Sequence, residues 1–395
     1  MQVLVLNSGS SSLKFQLFLM PKKTILCYGL IERIGLDDAL FKFNTDKDKI
    51  EITQAIPNHK VGLELLLKQL LHSKTGIIKS TDAINIVGHR VVHGGKYFTA
   101  TTQITTKVKE KINALSSLAP LHNPANLEGI KVAEAIFPHA KQVAVFDTAF
   151  HQTIPEYAYK YAIPNKYADQ HNIRLYGFHG TSHKFVSQKA INYLGKKDSK
   201  IITIHLGNGC SMTAVKNGKS IDHTLGFSPV NGLIMGTRSG DIDQSIIFHL
   251  AKKFNYSLDD INTLLQKKSG MLGLTGFSDL RDIQFEAEKG NKSCLLALQM
   301  NAYRIKKYIG SYAAILNGLD AIVFTAGIGE NSAEIRRRVC KNMDYLGINL
   351  DIKKNQTRTN KLTVISKTDS KVKIIVIPTN EELEIAKQSV ALFKN

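Results

Sequence analysis

Short apolar runs broken by small polar residues recur in both halves of the chain. The first, Val3 to Leu6, passes through Asn7 into the turn SGSSS and resumes as LKFQLFLM from Leu13 to Met20, which predicts a central strand, a tight turn and a second strand. Roughly two hundred residues later, Ile201 to Val215 repeats the design as IITIH-LGNGC-SMTAV, followed by Asn217-Gly218, a pair that favours a type I′ hairpin. A third strand is expected after each hairpin, at Ile25 to Ile31 and at Lys219 to Thr224. Turns of glycine and serine can present several N–H groups to one anion. The repeat therefore predicts two phosphate grips in duplicated domains.

Elsewhere strand and helix signals alternate. Ile84 to Val92 and Gln142 to Phe146 read as strands, and Lys107 to Ala119 and Leu127 to Ile136 as helices; Ile154 to Tyr167, rich in proline and tyrosine, reads as the crossing between lobes. Helices are expected across Asp243 to Leu265 and Phe285 to Leu316, strands at Ala321 to Thr325 and Val372 to Ile377, and a last amphipathic helix over Glu381 to Phe393, capped by Asn380. Polar residues at the carboxyl ends of parallel strands line ligand crevices. Arg90, His93 and Asp147 fall at such ends.

Length changes this picture only by doubling it: 395 residues exceed what one core usually supports, so two domains are expected. The formal charge of +19 invites a nucleic-acid reading. The basic residues are scattered in pairs such as Lys22-Lys23 and Lys306-Lys307, without basic-aromatic interleaving, so no nucleic-acid partner is expected, although the field would attract anionic metabolites. Cys27, Cys210, Cys294 and Cys340 form no CxxC pair, and the N-terminal apolar run is too short for a signal peptide or a membrane span, so a reduced, cytoplasmic protein with no membrane partner is expected.

Two decoys can be set aside. Gly218-Lys219-Ser220 resembles the end of a Walker A loop, but Thr213 stands where its first glycine belongs. His179 and His183 have the spacing of a zinc pair, yet Gly180, Thr181 and Ser182 separate them and no HExxH glutamate is present. What remains is Arg90 in GHRVVHGG, His122 in APLHNPAN, Asp147 in FDTAFH, His179 in YGFHGTSH and Arg238 in MGTRSGDID. Each puts a charged or imidazole group on a strand end or beside glycine, where backbone can approach a ligand closely.

These segments, together with NSGSSSLK, HLGNG, TAGIGEN and PTNEE, stand in an order and spacing that resembles the acetokinase family over essentially the whole chain, within the superfamily of sugar kinases, Hsp70 ATPase domains and actin. The departures are Gln244 where a proline commonly follows GDID, and Ala326 where a second glycine is common. The resemblance implies an α/β, two-lobed actin-like (ribonuclease H-like) ATPase fold with duplicated mixed sheets and an interlobe active-site cleft. Its lobes would be 1–150, joined by the returning segment 381–395, and 151–380. It also implies the activity of an acetate kinase, reversible Mg²⁺-dependent phosphoryl transfer between ATP and acetate giving ADP and acetyl phosphate, with Mn²⁺ as a substitute metal, and a homodimer.

By motif, the resemblance assigns Asn7 and Glu381 to Mg²⁺ in preference to Glu382. It assigns the nucleotide to Lys14, to His205, Leu206, Gly207, Asn208 and Gly209, to Asp279, Leu280 and Arg281, and to Gly327, Ile328, Gly329, Glu330 and Asn331. Arg90 and Arg238 are its carboxylate and phosphoryl clamps; His179 and His122 would stabilise the transferring group, and Asp147 is catalytic. Val92, Leu121, Phe178 and Pro229 would form the acyl pocket. A carboxylic acid with a pKa of about 4 is already ionised at neutral pH and needs no general base. The task is to neutralise an anion approaching a polyanion, which favours direct in-line transfer among cationic donors and makes Asp147 an orienting partner. A propionate or butyrate kinase, and an actin- or Hsp70-like ATPase, stay open as alternatives.

Overall fold

The computed structural model describes residues 1–74, 76–357 and 360–394; Thr75, Arg358, Thr359 and Asn395, which fall inside the expected lobes, lie outside the described residues. The chain divides into two compact units, Met1–Phe150 with Asn380–Asn395, and His151–Thr379. Asn380 thus groups with the first unit. The Pro- and Tyr-rich passage Ile154 to Tyr167 lies wholly in the second, because the chain crosses at Phe150 and His151.

The first unit holds an eight-stranded mixed sheet. Its strands are β1 (Gln2–Ser8), β2 (Ser12–Leu19), β3 (Thr24–Glu32), β4 (Ala39–Asn44), β5 (Lys49–Gln54), β6 (Ile84–Val91), β7 (Thr102–Gln103) and β8 (Lys141–Phe146), in the spatial order β5-β4-β3-β2-β1-β6-β8-β7. β1 to β5 form an antiparallel meander, while β1, β6 and β8 run parallel. β1 is buried at four consecutive positions, Val3 to Leu6, as a central strand covered on both faces requires.

One face of this sheet is closed by the helix Glu381–Ala391. Its Ile385, Ala386 and Val390 pack with Val3, Val5, Ile86, Val143 and Val145. Gly88 in β6 allows the approach: a Cβ there would lie 2.9 Å from Ile385 Cγ2 and 2.8 Å from Ser389 Oγ. Helices His59–Leu70 and Asn123–Ile136 make the parallel crossovers, and Leu63, Leu66, Leu70, Val132 and Ala133 bury against Leu4, Leu6, Phe15 and Phe41.

The second unit repeats the topology. β9 (Lys200–Leu206), β10 (Cys210–Lys216), β11 (Lys219–His223), β12 (Ala321–Thr325), β13 (Thr363–Val364) and β14 (Lys373–Val376) lie in the order β11-β10-β9-β12-β14-β13. Three antiparallel strands again lead into parallel ones, so β11-β10-β9-β12-β14 mirrors β3-β2-β1-β6-β8. No helix among the described residues is long and apolar enough to cross a membrane.

Candidate active site

In the first unit, functional side chains collect where parallel strands end. Arg90 is the penultimate residue of β6, and Asp147 follows β8, its N–H donating to Val91 O at 2.9 Å. The Asp147 side chain, 1% exposed, takes the Arg90 guanidinium on both oxygens: Nε donates at 3.1 and 3.0 Å, and Nη2 donates to Oδ2 at 2.6 Å. Arg90 Nη1 points to Asn7 Oδ1 at 3.4 Å. Burial alone would lower the Arg90 pKa, but Asp147, Glu381 and Glu382 outweigh it and hold the group above its ordinary value.

Glu381 and Glu382 open the C-terminal helix, whose N-cap Asn380 accepts from Leu383 N at 2.8 Å. Lys14 pairs across the hairpin with Asn7 in register, and its ammonium meets Glu382 at 2.5 Å. Three carboxylates therefore face two cations. The excess falls on Glu381, whose carboxyl burial pushes up to about 6, with Arg90 opposing and Asp147 and Glu382 adding to the shift. An all-oxygen donor set with surplus negative charge fits a hard divalent cation. Among the described residues no group of three or more His, Cys, Asp or Glu is arranged to hold a metal ion by itself.

Two residues missed in the sequence brace this end of the sheet. Asn126 accepts from Val92 N at 3.0 Å and donates to Ser8 O at 2.7 Å, tying β6 to β1, and Asn123 holds both backbone groups of His93. His122, half-buried, stands at the N-cap of Asn123–Ile136. Val92 is buried, but Leu121, expected in an apolar pocket, is 61% exposed because it precedes that helix at the surface.

In the second unit, a cavity of about 770 Å³ is lined by Leu206, Gly207 and Asn208 from the β9–β10 turn, by Asp279, Leu280 and Arg281, and by Gly327, Ile328 and Asn331. Asp279 caps the helix Leu280–Glu288 and pairs with Arg281 at 2.5 Å, which with a hydrogen bond from Arg281 N holds its carboxyl down at about 2. Gly236 meets the turn so closely that a Cβ would clash with Asn208 Oδ1 at 2.2 Å. Ser278, Gln284, Asn301 and Ser332 also line the cavity and carried no sequence signal, being single polar residues in otherwise ordinary segments.

Not every expected nucleotide residue lines this cavity. The GIG segment is a helical turn, Ala326–Asn331, whose Gly329 and Glu330 carbonyls accept from the buried Arg336 at 2.9 Å, and the Glu330 carboxylate accepts from Thr379 N at 3.0 Å. Gly329 and Glu330 are thereby committed to the protein itself. His205 and Gly209 also stand off the cavity, and Lys14 belongs to the first unit. Ala326 adopts φ +64°, a left-handed conformation that glycine would take at no steric cost.

Beside Gly209 stand His179 and Arg238: a Cβ on Gly209 would lie 3.3 Å from His179 Cε1, 3.4 Å from its Nε2 and 3.8 Å from Arg238 Nη1. His179 has a left-handed φ of +56° and precedes the helix Gly180–Leu194, a strained position of the sort found at functional sites. Phe178 is buried, its N–H donating to His223 Nε2. Arg238 donates to Pro229 O at 2.9 Å and forms no salt bridge among the described residues; burial lowers its pKa. A half-buried guanidinium with no carboxylate among the described residues keeps donors that an anion could use.

The sequence profile of the Acetokinase family matches residues 2–387. The chain is similar to an acetate kinase of Flavobacterium johnsoniae, 63% identical with all of both chains covered. Among solved structures it is similar to Porphyromonas gingivalis acetate kinase, with TM-score 0.95, 46% identity and complete coverage of both chains. A propionate kinase from Francisella tularensis is similar at TM-score 0.93 and 44% identity over 99% of each chain.

Proposed function

The chain belongs to the acetokinase family, and we propose that it transfers the γ-phosphoryl group of ATP to acetate, reversibly, giving ADP and acetyl phosphate. The observation that carries the chemistry is Arg238, a partly desolvated cation with no carboxylate partner among the described residues, next to His179 and the glycine turn that edges the cavity. Such groups cost nothing to reorganise when charge develops on a phosphoryl group, and they are worth most where water is excluded.

ATP occupies the cavity of the second unit, with Gly207 and Asn208 toward its phosphates and Asp279 and Arg281 toward base and ribose. Arg90, held flat by Asp147, presents its remaining donors to the acetate carboxylate, for which a planar fork is better suited than an ammonium. Acetate arrives ionised, so no residue is needed as base, and Asp147 acts by orienting Arg90. Asn7 and Glu381 would hold Mg²⁺, which when bound supplies charge neutralisation to the phosphates. Phe178 and Pro229 of the second unit are proposed to contact the acyl methyl, Val92 of the first is proposed for the same task, and His122 is proposed as a further donor to the phosphoryl group.

Four free, buried cysteines support a reducing, cytoplasmic setting. Phe248, Phe254 and Leu258, 64%, 56% and 74% exposed on consecutive helices, support association with a second copy as a homodimer.

The similarity to a propionate kinase makes that acid the second reading, since one methylene is worth only about 1 to 3 kcal/mol. The test is kcat/KM for acetate, propionate and butyrate with Mg-ATP, trapping the product with hydroxylamine. Acetate should lead, and Arg238→Ala should lower kcat about a hundredfold or more. Equal or better use of propionate moves the assignment to that acid, and ATP turnover without any carboxylic acid overturns it.

A further inference from the structure

The helix that follows His179 carries His183 one turn on, and a single hydroxyl lies between the two rings. Ser211 Oγ, from β10, is 2.9 Å from His179 Nδ1 and 2.8 Å from His183 Nε2. His183 Nδ1 is in turn 2.7 Å from Thr203 Oγ1 of β9. Thr203, His183 and Ser211 are each 0% exposed, so no solvent proton can complete the string. The spacing that imitates a zinc pair in the sequence is used here to share a hydroxyl.

Three hydrogen bonds link the four groups, and a neutral His183 supplies one proton while each hydroxyl supplies another. Burial, with His151, His205 and His179 close by, keeps His183 neutral by holding its pKa well below the ordinary value. All protons can point toward His179 or all away from it. The choice is made at the far end. Among the described residues, Thr203 Oγ1 makes its one side-chain hydrogen bond to His183, so if it only accepted, its own buried proton would go unbonded at a cost of about 1 to 3 kcal/mol. Thr203 therefore donates, His183 carries its proton on Nε2 and donates to Ser211, and Ser211 donates to His179 Nδ1.

We infer that Thr203, His183 and Ser211 form an ordered string of donors that holds His179 as the neutral tautomer bearing its hydrogen on Nε2, the nitrogen on the Gly209 side. This rests on the reading of His179 as a donor to the phosphoryl group, and it makes the other three positioning residues. A second proton on His179 Nδ1 would have to reverse the whole string and orphan the Thr203 proton, so His179 stays uncharged over the working pH range. The groups facing it are consistent: the His205 ring stacks on it at 4.5 Å, the Arg238 guanidinium lies across Gly209, and His151 and His223 stand behind His183, all cationic or neutral.

The test compares Thr203→Val, which keeps shape and removes the directing proton, with Thr203→Ser, Ser211→Ala and His179→Ala. Losing the partner that sets the tautomer of a buried catalytic imidazole costs up to about 10⁴ in kcat. Here T203V and S211A should lower kcat about tenfold or more with both KM values within about twofold, T203S should restore it, and kcat should begin to fall with rising pH near the ordinary imidazole pKa of about 6.5. Nitrogen-15 spectra of His179 should show hydrogen on Nε2 in the native protein and an Nδ1–H population in T203V. A crippled H179A beside T203V and S211A with native kcat and pH profile, or a native spectrum with hydrogen on Nδ1, overturns the string. A fully active H179A instead overturns the role of His179.

Discussion

Replacing Asp147 by Asn is the sharpest probe of how Arg90 is held. The carboxylate now answers Nε on both oxygens and Nη2 at 2.6 Å. An amide of the same shape offers one acceptor and turns an NH₂ toward a guanidinium N–H, so at least one charged hydrogen bond, worth about 1.5 to 3 kcal/mol, is lost. Because Asp147 is 1% exposed, the loss of the opposing charge adds to this, and the total cost to stability should approach the roughly 3 to 5 kcal/mol of a broken buried pair. Glu381 and Glu382, which already act on Arg90, would draw the freed guanidinium toward themselves and away from the substrate. If about 2 to 3 kcal/mol of that reaches the transition state, kcat/KM for acetate falls between about 30-fold and 150-fold. The assay is hydroxamate formation across acetate concentrations and pH, with Tm measured alongside. The shape of the pH profile should be unchanged, since no proton is being accepted. Native turnover and KM at an unaltered Tm would refute the orienting role, and the disappearance of an acidic limb from the profile would make Asp147 a base.

Arg336, 3% exposed, donates among the described residues only to neutral acceptors: Asn355 Oδ1 and O, Gly329 O and Glu330 O. Arg336→Ala should cost roughly 3 to 5 kcal/mol through several orphaned carbonyls and raise KM for ATP well above any change for acetate, as read by steady-state kinetics and urea melts; equal effects on the two substrates refute it. Ala326→Gly should relieve left-handed strain of about 1 to 2 kcal/mol, partly offset by unfolded-state entropy, and raise Tm by roughly 1 to 3 °C in calorimetry; an unchanged or lower Tm counts against strain at this position. His89, His93 and His151 are held at about 4 by burial, so between pH 6.5 and 4 the unfolded chain takes up protons that the folded chain refuses. Stability present above about pH 6.5 should fall by up to about 3 kcal/mol per histidine as pH drops. Asp222 and Glu381, both raised to about 6, oppose this more weakly, so the urea midpoint should fall from pH 7 to pH 5, and a constant midpoint would contradict it.

Strands with near-continuous β-branched runs were legible from residue order alone. Ala321–Thr325 occurs as expected, Ile84–Val91 and Lys141–Phe146 shift by one residue, and both third strands appear, at Thr24–Glu32 and Lys219–His223. Helices were legible in place and not in length, because single residues end them. The span expected from Asp243 to Leu265 breaks at Asn255 in the left-handed region, and the one from Phe285 to Leu316 breaks at Gly290, leaving Leu280–Glu288 and Lys292–Leu316. β4 and β5 went unread: β5, KIEITQ, has no buried position and is defined by its pairing with β4. In the site, charged groups at strand ends stood out, whereas Asn123, Asn126 and Ser211 did not. Their work is to satisfy other residues' hydrogen bonds, and that depends on which backbone groups the fold leaves open nearby.

The first unit is assembled from two segments, Met1–Phe150 and Asn380–Asn395, with the second unit inserted between them. On the ribosome, more than two hundred residues must emerge after Phe150 before the helix Glu381–Ala391 appears, a delay of roughly 10 to 50 seconds at ordinary synthesis rates. Throughout that interval Val3, Val5, Ile86, Val143 and Val145 lack their apolar lid. Of the two units, the one whose synthesis starts first is therefore the one completed last, and its apolar nascent sheet is where chaperones would be expected to engage.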